Sequence, residues 1–232
     1  MEFKTKIKAF YDNISKRSFN SFKDAREKAA LFGKNLFLFK EFDLRGTENL
    51  PPESGIIFIY NHISNNPNYT LEDDFQITLD SHFISSMISQ NYYKKPGVRV
   101  IRHSLDNEKK HLEYYNLFNY IRVYAKDFIP NKVTKKELDK SKNIFYSLCQ
   151  SVLLKKENLI INPEGKSSST ENSPSDFKAG VFKMIIKSKL DPLIVPLVMV
   201  NFDYLNSETT YRCEIKKPFR LSSKLNDEKN IK

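Results

Sequence analysis

Two stretches of this 232-residue chain put proton-moving and anion-holding groups at the ends of apolar runs. The first is Gly55-Ile56-Ile57-Phe58-Ile59-Tyr60-Asn61-His62-Ile63-Ser64. Its β-branched and aromatic core reads as a strand buried on both faces, and His62 falls where that strand must leave the sheet. An imidazole at the carboxyl end of a strand is well placed to act as a general base. Taken alone, the stretch reads better as a core histidine satisfied by one carbonyl. The second stretch changes this. Leu159-Ile160-Ile161 is another short buried strand, and Asn162-Pro163-Glu164-Gly165-Lys166 follows at its end. There Gly165 lets backbone amides approach an anion, Lys166 adds charge, and Ser167 to Thr170 offer further donors. Neither motif is specific by itself. The two in this order, about a hundred residues apart, are far more so.

The elements that must position them alternate. Strands are expected over Leu36–Leu44, the run before Asn61, Val98–Ile101, Ile121–Tyr124, Leu159–Ile161, Leu193–Val200 and Thr210–Ile215. Helices are expected over residues 1–33, Leu79–Ile88, Glu108–Tyr120, Lys135–Lys156 and Phe177–Lys187, with Gly33 as a C-cap. Alternating strands and helices predict a single α/β domain with a mixed, largely parallel central sheet flanked by helices. An N-terminal helical segment (1–35) precedes the domain (36–222), and a polar tail (223–232) follows it. Phe3, Ile7, Phe10 and Ile14 form one apolar stripe, flanked by Lys4, Lys6 and Lys8, in a segment 1–40 of net charge +6. Such a helix can lie on a membrane surface or pack on its own domain, and the pattern admits both.

Composition narrows the field. Hydrophobic residues are 40% of the chain, with 18 Phe and 12 Tyr, so it is globular. The formal charge of +10 suits an anionic partner: nucleic acid, a phosphorylated substrate or an acidic membrane. Cys149 and Cys213 are too far apart for a zinc pattern or a disulfide framework, so neither a metal site nor an oxidising compartment is expected. The longest apolar run, Leu193 to Val200, has eight residues, against the roughly 20 that a spanning helix needs. With no secretory apolar region after Met1, a cytoplasmic protein is expected, touching a membrane only peripherally.

The chain resembles the glycerolipid acyltransferases that include lysophosphatidic acid acyltransferase. Gly46-Thr47-Glu48-Asn49-Leu50-Pro51 is similar to the family's lead-in, Asn61-His62 to its first block and Asn162-Pro163-Glu164-Gly165-Lys166-Ser167 to its third. Phe177-Lys178-Ala179-Gly180-Val181-Phe182-Lys183 and Ile194-Val195-Pro196-Leu197 look like the helix and strand beyond. In the family the first block's histidine is followed by four residues and an aspartate. The position where that aspartate would fall holds Pro67. A loop insertion would restore the pattern at Asp80, ranked ahead of Asp73 and Asp74. The second block's arginine has two candidates, Arg122 and Lys126, and the arginine frequent after Pro-Glu-Gly is replaced by Ser167.

The resemblance implies acyl transfer from acyl-CoA or acyl carrier protein to a hydroxyl of a glycerolipid precursor such as lysophosphatidic acid, with no cofactor beyond the donor. His62 would be the base and Asp80 its orienting carboxylate. Asn61, Arg122, Lys126, Glu164, Gly165 and Lys166 would bind substrate. Neither cysteine lies near a motif, which favours direct transfer over an acyl-enzyme. An anionic membrane is the expected surface partner. The competing readings are a catalytically silent lipid-binding or membrane-tethering relative, suggested by the interrupted spacing, and a nucleic-acid-binding protein, suggested by charge alone and lacking any motif for it. His82, His103 and His111 read as surface or capping residues.

Overall fold

The computed structural model describes residues 2–39, 41–125, 129 and 133–224. Elements follow in the order α1 (Glu2–Ser15), α2 (Phe22–Phe37), β1 (Phe42–Arg45), β2 (Ile57–Tyr60) and α3 (Leu79–Phe83). A π-helical stretch, Ile84–Ser89, continues α3 into α4 (Gln90–Tyr93). Then come β3 (Val98–Arg102), α5 (Lys109–Asn116), β4 (Ile121–Val123), α6 (Lys135–Leu154), β5 (Leu159–Ile161), α7 (Gly180–Ser188), β6 (Ile194–Val200) and β7 (Tyr211–Ile215). Among the described residues the strands form one seven-stranded sheet, ordered β1-β7-β6-β2-β5-β3-β4. Only the β6–β7 pairing is antiparallel. This is the single α/β domain with a largely parallel sheet that the alternation predicts.

The register decides where the chemistry can sit. β2 is the central strand, flanked by β5 and β6, and all four of its residues are buried. Ile57 lies opposite Leu159 on one side and Ile194 on the other, so β2 and β5 run parallel and end on the same edge. The segments after them, carrying His62 and Glu164, therefore leave the sheet side by side. A parallel bridge between Ile63 and Ser168 extends the pairing past the strands: the Ser168 amide donates to His62 O and the Ser64 amide to Ser168 O, both at 2.9 Å. At the opposite end of these strands, buried Asn158 accepts from the Gly55 amide at 2.9 Å and donates to Ser89 Oγ at 3.2 Å, tying β2 to the π-helical stretch.

Several boundaries differ from the sequence reading. The helix expected over 1–33 is two helices, broken before Ser21, whose hydroxyl caps α2 by accepting from the Asp24 amide at 3.1 Å. Gly33 is not a C-cap; it lies inside α2, where a Cβ would come within 2.3 Å of Ser86 Oγ, so glycine permits close packing against the π-helical stretch. The strand expected from Leu36 begins only at Phe42, because α2 runs on to Phe37. In α6, opened by a Thr134–Glu137 capping box, the buried positions are Phe145, Cys149 and Leu153, and Leu148 is exposed.

Of the two roles open to the α1 stripe, the fold realises the inward one. Phe3, Ile7, Phe10 and Ile14 are all buried. Phe3 meets Tyr69 and Tyr211 edge-on, and Phe10 meets His82 with ring centroids 5.2 Å apart. Lys4, Lys6 and Lys8 remain on the exposed face. α1 thus buttresses the helix that carries Asp80.

Candidate active site

His62 leaves the sheet two residues after β2, and its imidazole is about one-fifth exposed. Its Nδ1 lies 2.6 Å from Asp80 Oδ2. Asp80 stands in the first turn of α3 and is fully buried. Besides His62, the carboxylate receives the Ile63 amide on Oδ2 at 2.9 Å and the Ser81 amide on Oδ1 at 2.5 Å. A carboxylate holding two backbone donors accepts from Nδ1, so the ring carries its proton there and presents Nε2 as a free base. Burial alone would push the His62 ring down. The Asp80 charge and hydrogen bond, with Glu164 behind them, outweigh burial and the opposing charge of Arg99, and the net shift is upward from 6.5.

The eighteen-residue separation of His62 and Asp80 is bridged by a loop that closes on itself. The loop contains two 3₁₀ turns, Pro67–Tyr69 and Glu72–Asp74. Asn65 staples its two ends: Nδ2 donates to Ile77 O, and Oδ1 accepts from the Leu79 amide at 3.1 Å. Farther out, Asn66 donates to Asp203 O at 3.0 Å, and Tyr69 OH accepts from the Asn206 amide at 2.6 Å. The rival carboxylates Asp73 and Asp74 sit exposed in this loop with left-handed backbone, Asp73 pairing with Lys110 at 3.8 Å. It is Asp80 that reaches the histidine.

Across the edge of the sheet, the turn after β5 buries Glu164, 1% exposed. Asn162 Oδ1 accepts from the Glu164 amide at 2.8 Å, forming an Asx turn, and Gly165 at φ +71 completes it. Ser175 Oγ donates to Glu164 Oε2 at 3.0 Å. Burial raises the Glu164 carboxyl above its ordinary value, against the Ser175 bonds and the nearby His62. Lys166 points to solvent. A second cation arrives from before α7: the Lys178 amide donates to Pro163 O at 2.8 Å, and its ammonium lies where a Gly165 Cβ would be only 2.8 Å away. The turn therefore carries one lysine over a glycine and a second at its solvent side, charges that suit an oxyanion such as phosphate.

The remaining candidates are placed differently. Asn61 is buried and its amide is a clamp: Oδ1 accepts from the Met199 amide at 2.6 Å, while Nδ2 donates to Met199 O at 2.9 Å and Ser173 Oγ at 2.8 Å. It locks β2 to β6 just below His62. Arg122 lies on edge strand β4, three strands from β2 or about 14 Å at usual strand spacing. Its Nη2 donates to Asn116 Oδ1 at 2.8 Å. With His103, Ser104, Glu108 and Lys109 it lines a separate cleft of about 270 Å³. Among the described residues, no hydrogen bond or ion pair connects Arg122 to the His62–Asp80 pair. Lys126 lies outside the described residues.

Sequence reasoning overlooked Asn65, Lys178, Ser175 and Arg99. Lys178 stands within the Phe-Lys-Ala-Gly stretch quoted for its resemblance, the one signal that could have found it. His82, expected at the surface, is 2% exposed and accepts from Arg99 and Tyr114 at its Nε2. His103 stacks on Tyr124 at 4.2 Å, and His111, pushed down to about 4 by burial, bonds Ser104 Oγ at 2.7 Å.

A histidine oriented by a buried carboxylate can take the proton of an attacking hydroxyl, and the cationic turn beside it can hold an anion. The family called Acyltransferase matches residues 41–200, more than half of the chain and both motif-bearing strand ends. The chain belongs to the acyltransferase family. Among curated proteins, none matches this acyltransferase. Among solved structures it is similar to the 1-acyl-sn-glycerophosphate (LPA) acyltransferase PlsC from Thermotoga maritima, with a TM-score of 0.55 and 17% identity. That similarity covers 92% of this chain and 77% of the other, and it carries the fold.

Proposed function

We propose that this acyltransferase moves a fatty acyl group from acyl-CoA or acyl carrier protein to a hydroxyl of a phosphate-bearing glycerolipid precursor such as lysophosphatidic acid. The observation that carries the reading is the 2.6 Å contact between His62 Nδ1 and buried Asp80, which assigns the neutral ring's proton to Nδ1 and leaves Nε2 to act as the base. His62 Nε2 takes the proton of the acceptor hydroxyl as its oxygen attacks the thioester carbonyl. The tetrahedral intermediate collapses with cleavage of the C–S bond, and the departing thiolate takes the proton back from the imidazolium. Ester and free thiol leave, and the protein is unchanged. Both cysteines are buried with thiols pushed up, Cys149 to about 12, which supports direct transfer.

Glu164 and Gly165 shape the anion-binding turn, and Lys166 and Lys178 hold the acceptor phosphate. Fixing both reactants in this way can supply several kcal/mol of the barrier. A catalytically silent relative has no need of a buried carboxylate on the histidine, so the Asp80 contact weighs against that reading.

The site works at a membrane surface. Among the described residues no helix is long and apolar enough to cross a bilayer. The +10 charge and the exposed Phe22 and Leu31 of α2, with Leu38 just beyond it, support peripheral contact with anionic lipid. The deciding experiment incubates purified protein with labelled acyl-CoA or acyl carrier protein and a panel of lysolipids and glycerol 3-phosphate, read by lipid mass spectrometry. Ester on a phosphate-bearing acceptor, lost in His62→Ala, is expected. No ester on any acceptor would overturn the assignment.

A further inference from the structure

Arg99 is a buried cation that the chemistry above does not use. It is the second residue of β3 and is 1% exposed. A guanidinium out of water is costly unless compensated. Here its hydrogen bonds go to neutral groups: Nη1 donates to Ser81 Oγ at 2.9 Å and Nη2 to His82 Nε2 at 3.2 Å. The rings of Tyr120 and Tyr115 lie 4.4 and 5.7 Å from the guanidinium carbon. Because arginine only donates, His82 Nε2 is bare and the ring is neutral, protonated on Nδ1. Burial and the Arg99 charge agree, pushing His82 well below its usual value.

Asp80, Ser81 and His82 are consecutive residues of one helical turn. The first holds His62, and the next two are held by Arg99. Ser81 links the halves: its amide donates to Asp80 Oδ1 at 2.5 Å, and its hydroxyl, also bonded to Thr78 Oγ1 at 2.8 Å, accepts from Arg99. Rotation of this turn would swing Asp80 away from the imidazole and strip Arg99 of its acceptors together. The charged and titratable groups facing His62 are Asp80 from α3, Glu164 from the turn after β5, Arg99 from β3 and Tyr60 from β2. Of these, Arg99 alone opposes the added proton by charge.

We propose that Arg99 is a positioning residue for acyl transfer, pinning the Asp80–His82 turn so that the carboxylate meets His62. This role rests on the reading of His62 as the general base. It is tested with Arg99→Met, Arg99→Lys and Ser81→Ala in the full chain, by NMR titration of the His62 ring and by kcat and KM across pH.

In Arg99→Met the His62 midpoint falls, because the turn releases Asp80, which raises that midpoint more than the Arg99 charge lowers it. The acid limb of kcat/KM follows it, and kcat falls about tenfold with KM nearly unchanged. Arg99→Lys shows a smaller fall in midpoint and loses part of kcat, because an ammonium can hold one acceptor of the turn and not both. A folded Arg99→Met protein with wild-type midpoint and kcat overturns the proposal. Should that variant fail to fold, wild-type kcat in both Arg99→Lys and Ser81→Ala overturns it, and a loss of kcat at constant KM supports it. If the wild-type protein transfers no acyl group, the general-base reading falls. The His62 midpoint in Arg99→Met, lowered or not lowered, still decides whether Arg99 holds Asp80 against the ring.

Discussion

Asn65 Oδ1 accepts the Leu79 amide at 3.1 Å across fourteen positions of chain, closing the loop that separates the histidine from its carboxylate. Glu72, Asp73 and Asp74 of the inserted segment are exposed while Tyr69, Phe75 and Ile77 pack into the core, and α3 starts next to the strand end as though the loop were absent. Asn65→Ala removes this bond and the one to Ile77 O without touching His62 or Asp80. Displacement of a catalytic group by about 1 Å can cost roughly 100-fold. Turnover is expected to fall by that order while the melting temperature moves by only a few degrees. Steady-state kinetics with thermal unfolding checks this; full activity in Asn65→Ala would mean that Asp80 is positioned without the staple.

Asp80→Asn should reduce kcat about 10⁴-fold, the scale seen when a comparable base loses its orienting carboxylate. Asp73→Asn and Asp74→Asn, changes in the exposed loop, should stay within about twofold. Comparable mild effects at all three positions would leave His62 without a functional partner.

The pH profile follows from the shift at His62. Its value is raised from 6.5, chiefly by Asp80, so the ring is protonated and useless as a base until pH exceeds that raised value. Activity should therefore fall on the acid side through a limb centred above pH 6.5, halved at its midpoint and then about tenfold lower per pH unit. Removing the Asp80 charge should move the residual limb of Asp80→Asn to lower pH. A wild-type limb at or below 6.5 in kcat/KM would contradict the assignment of the limb to this ring.

The sheet and both strand ends were legible because buried parallel strands write themselves as short β-branched runs, and Asn61-His62 and Pro163-Glu164-Gly165 interrupt such runs abruptly. Asp80 was legible through the resemblance, which calls for an aspartate after the histidine and is met where the Leu79–Ile88 helix begins. Asn65, Arg99 and Lys178 were not, since each acts through contacts made only when distant elements meet. His82 and Arg99 look like surface residues singly, and their burial depends on satisfying each other within a ring of tyrosines. The α1 stripe shows that periodicity finds an apolar face without saying what covers it.

Lys178 should matter for acceptors that carry phosphate. Its ammonium lies over Gly165, while Lys166 points outward. Losing one charge-assisted hydrogen bond costs about 1.5–3 kcal/mol. Lys178→Met should therefore raise KM for lysophosphatidate at least tenfold and leave KM for an uncharged monoacylglycerol unchanged. An equal rise for both acceptors would point to a structural role for the lysine.

The N-terminal helix offers a test that separates stability from membrane contact. Ile7 and Ile14 are 1% and 0% exposed and sit in the main core, so either Ile→Ala change should cost about 2–5 kcal/mol. For a chain of this size, each kcal/mol lowers the melting temperature by about 2–4 °C. Deleting residues 1–15 should be worse, because Phe10 supports His82 and through it the turn bearing Asp80. The outer surface behaves differently. Leu31 and Leu38 are 53% and 57% exposed on and just beyond α2, so Leu31→Ser with Leu38→Ser removes apolar contact without opening the core. This double variant should keep its melting temperature and its turnover on a soluble short-chain acceptor. It should bind anionic vesicles more weakly and lose activity on bilayer-embedded acceptor. Vesicle binding by the wild-type protein should fall as salt rises, since each surface-proximal Lys or Arg contributes about 1 kcal/mol that ions screen. Co-sedimentation with phosphatidylserine vesicles at two salt concentrations reads both effects. Undiminished binding by the double variant would move the contact to another face, and salt-independent binding would rule out the electrostatic component.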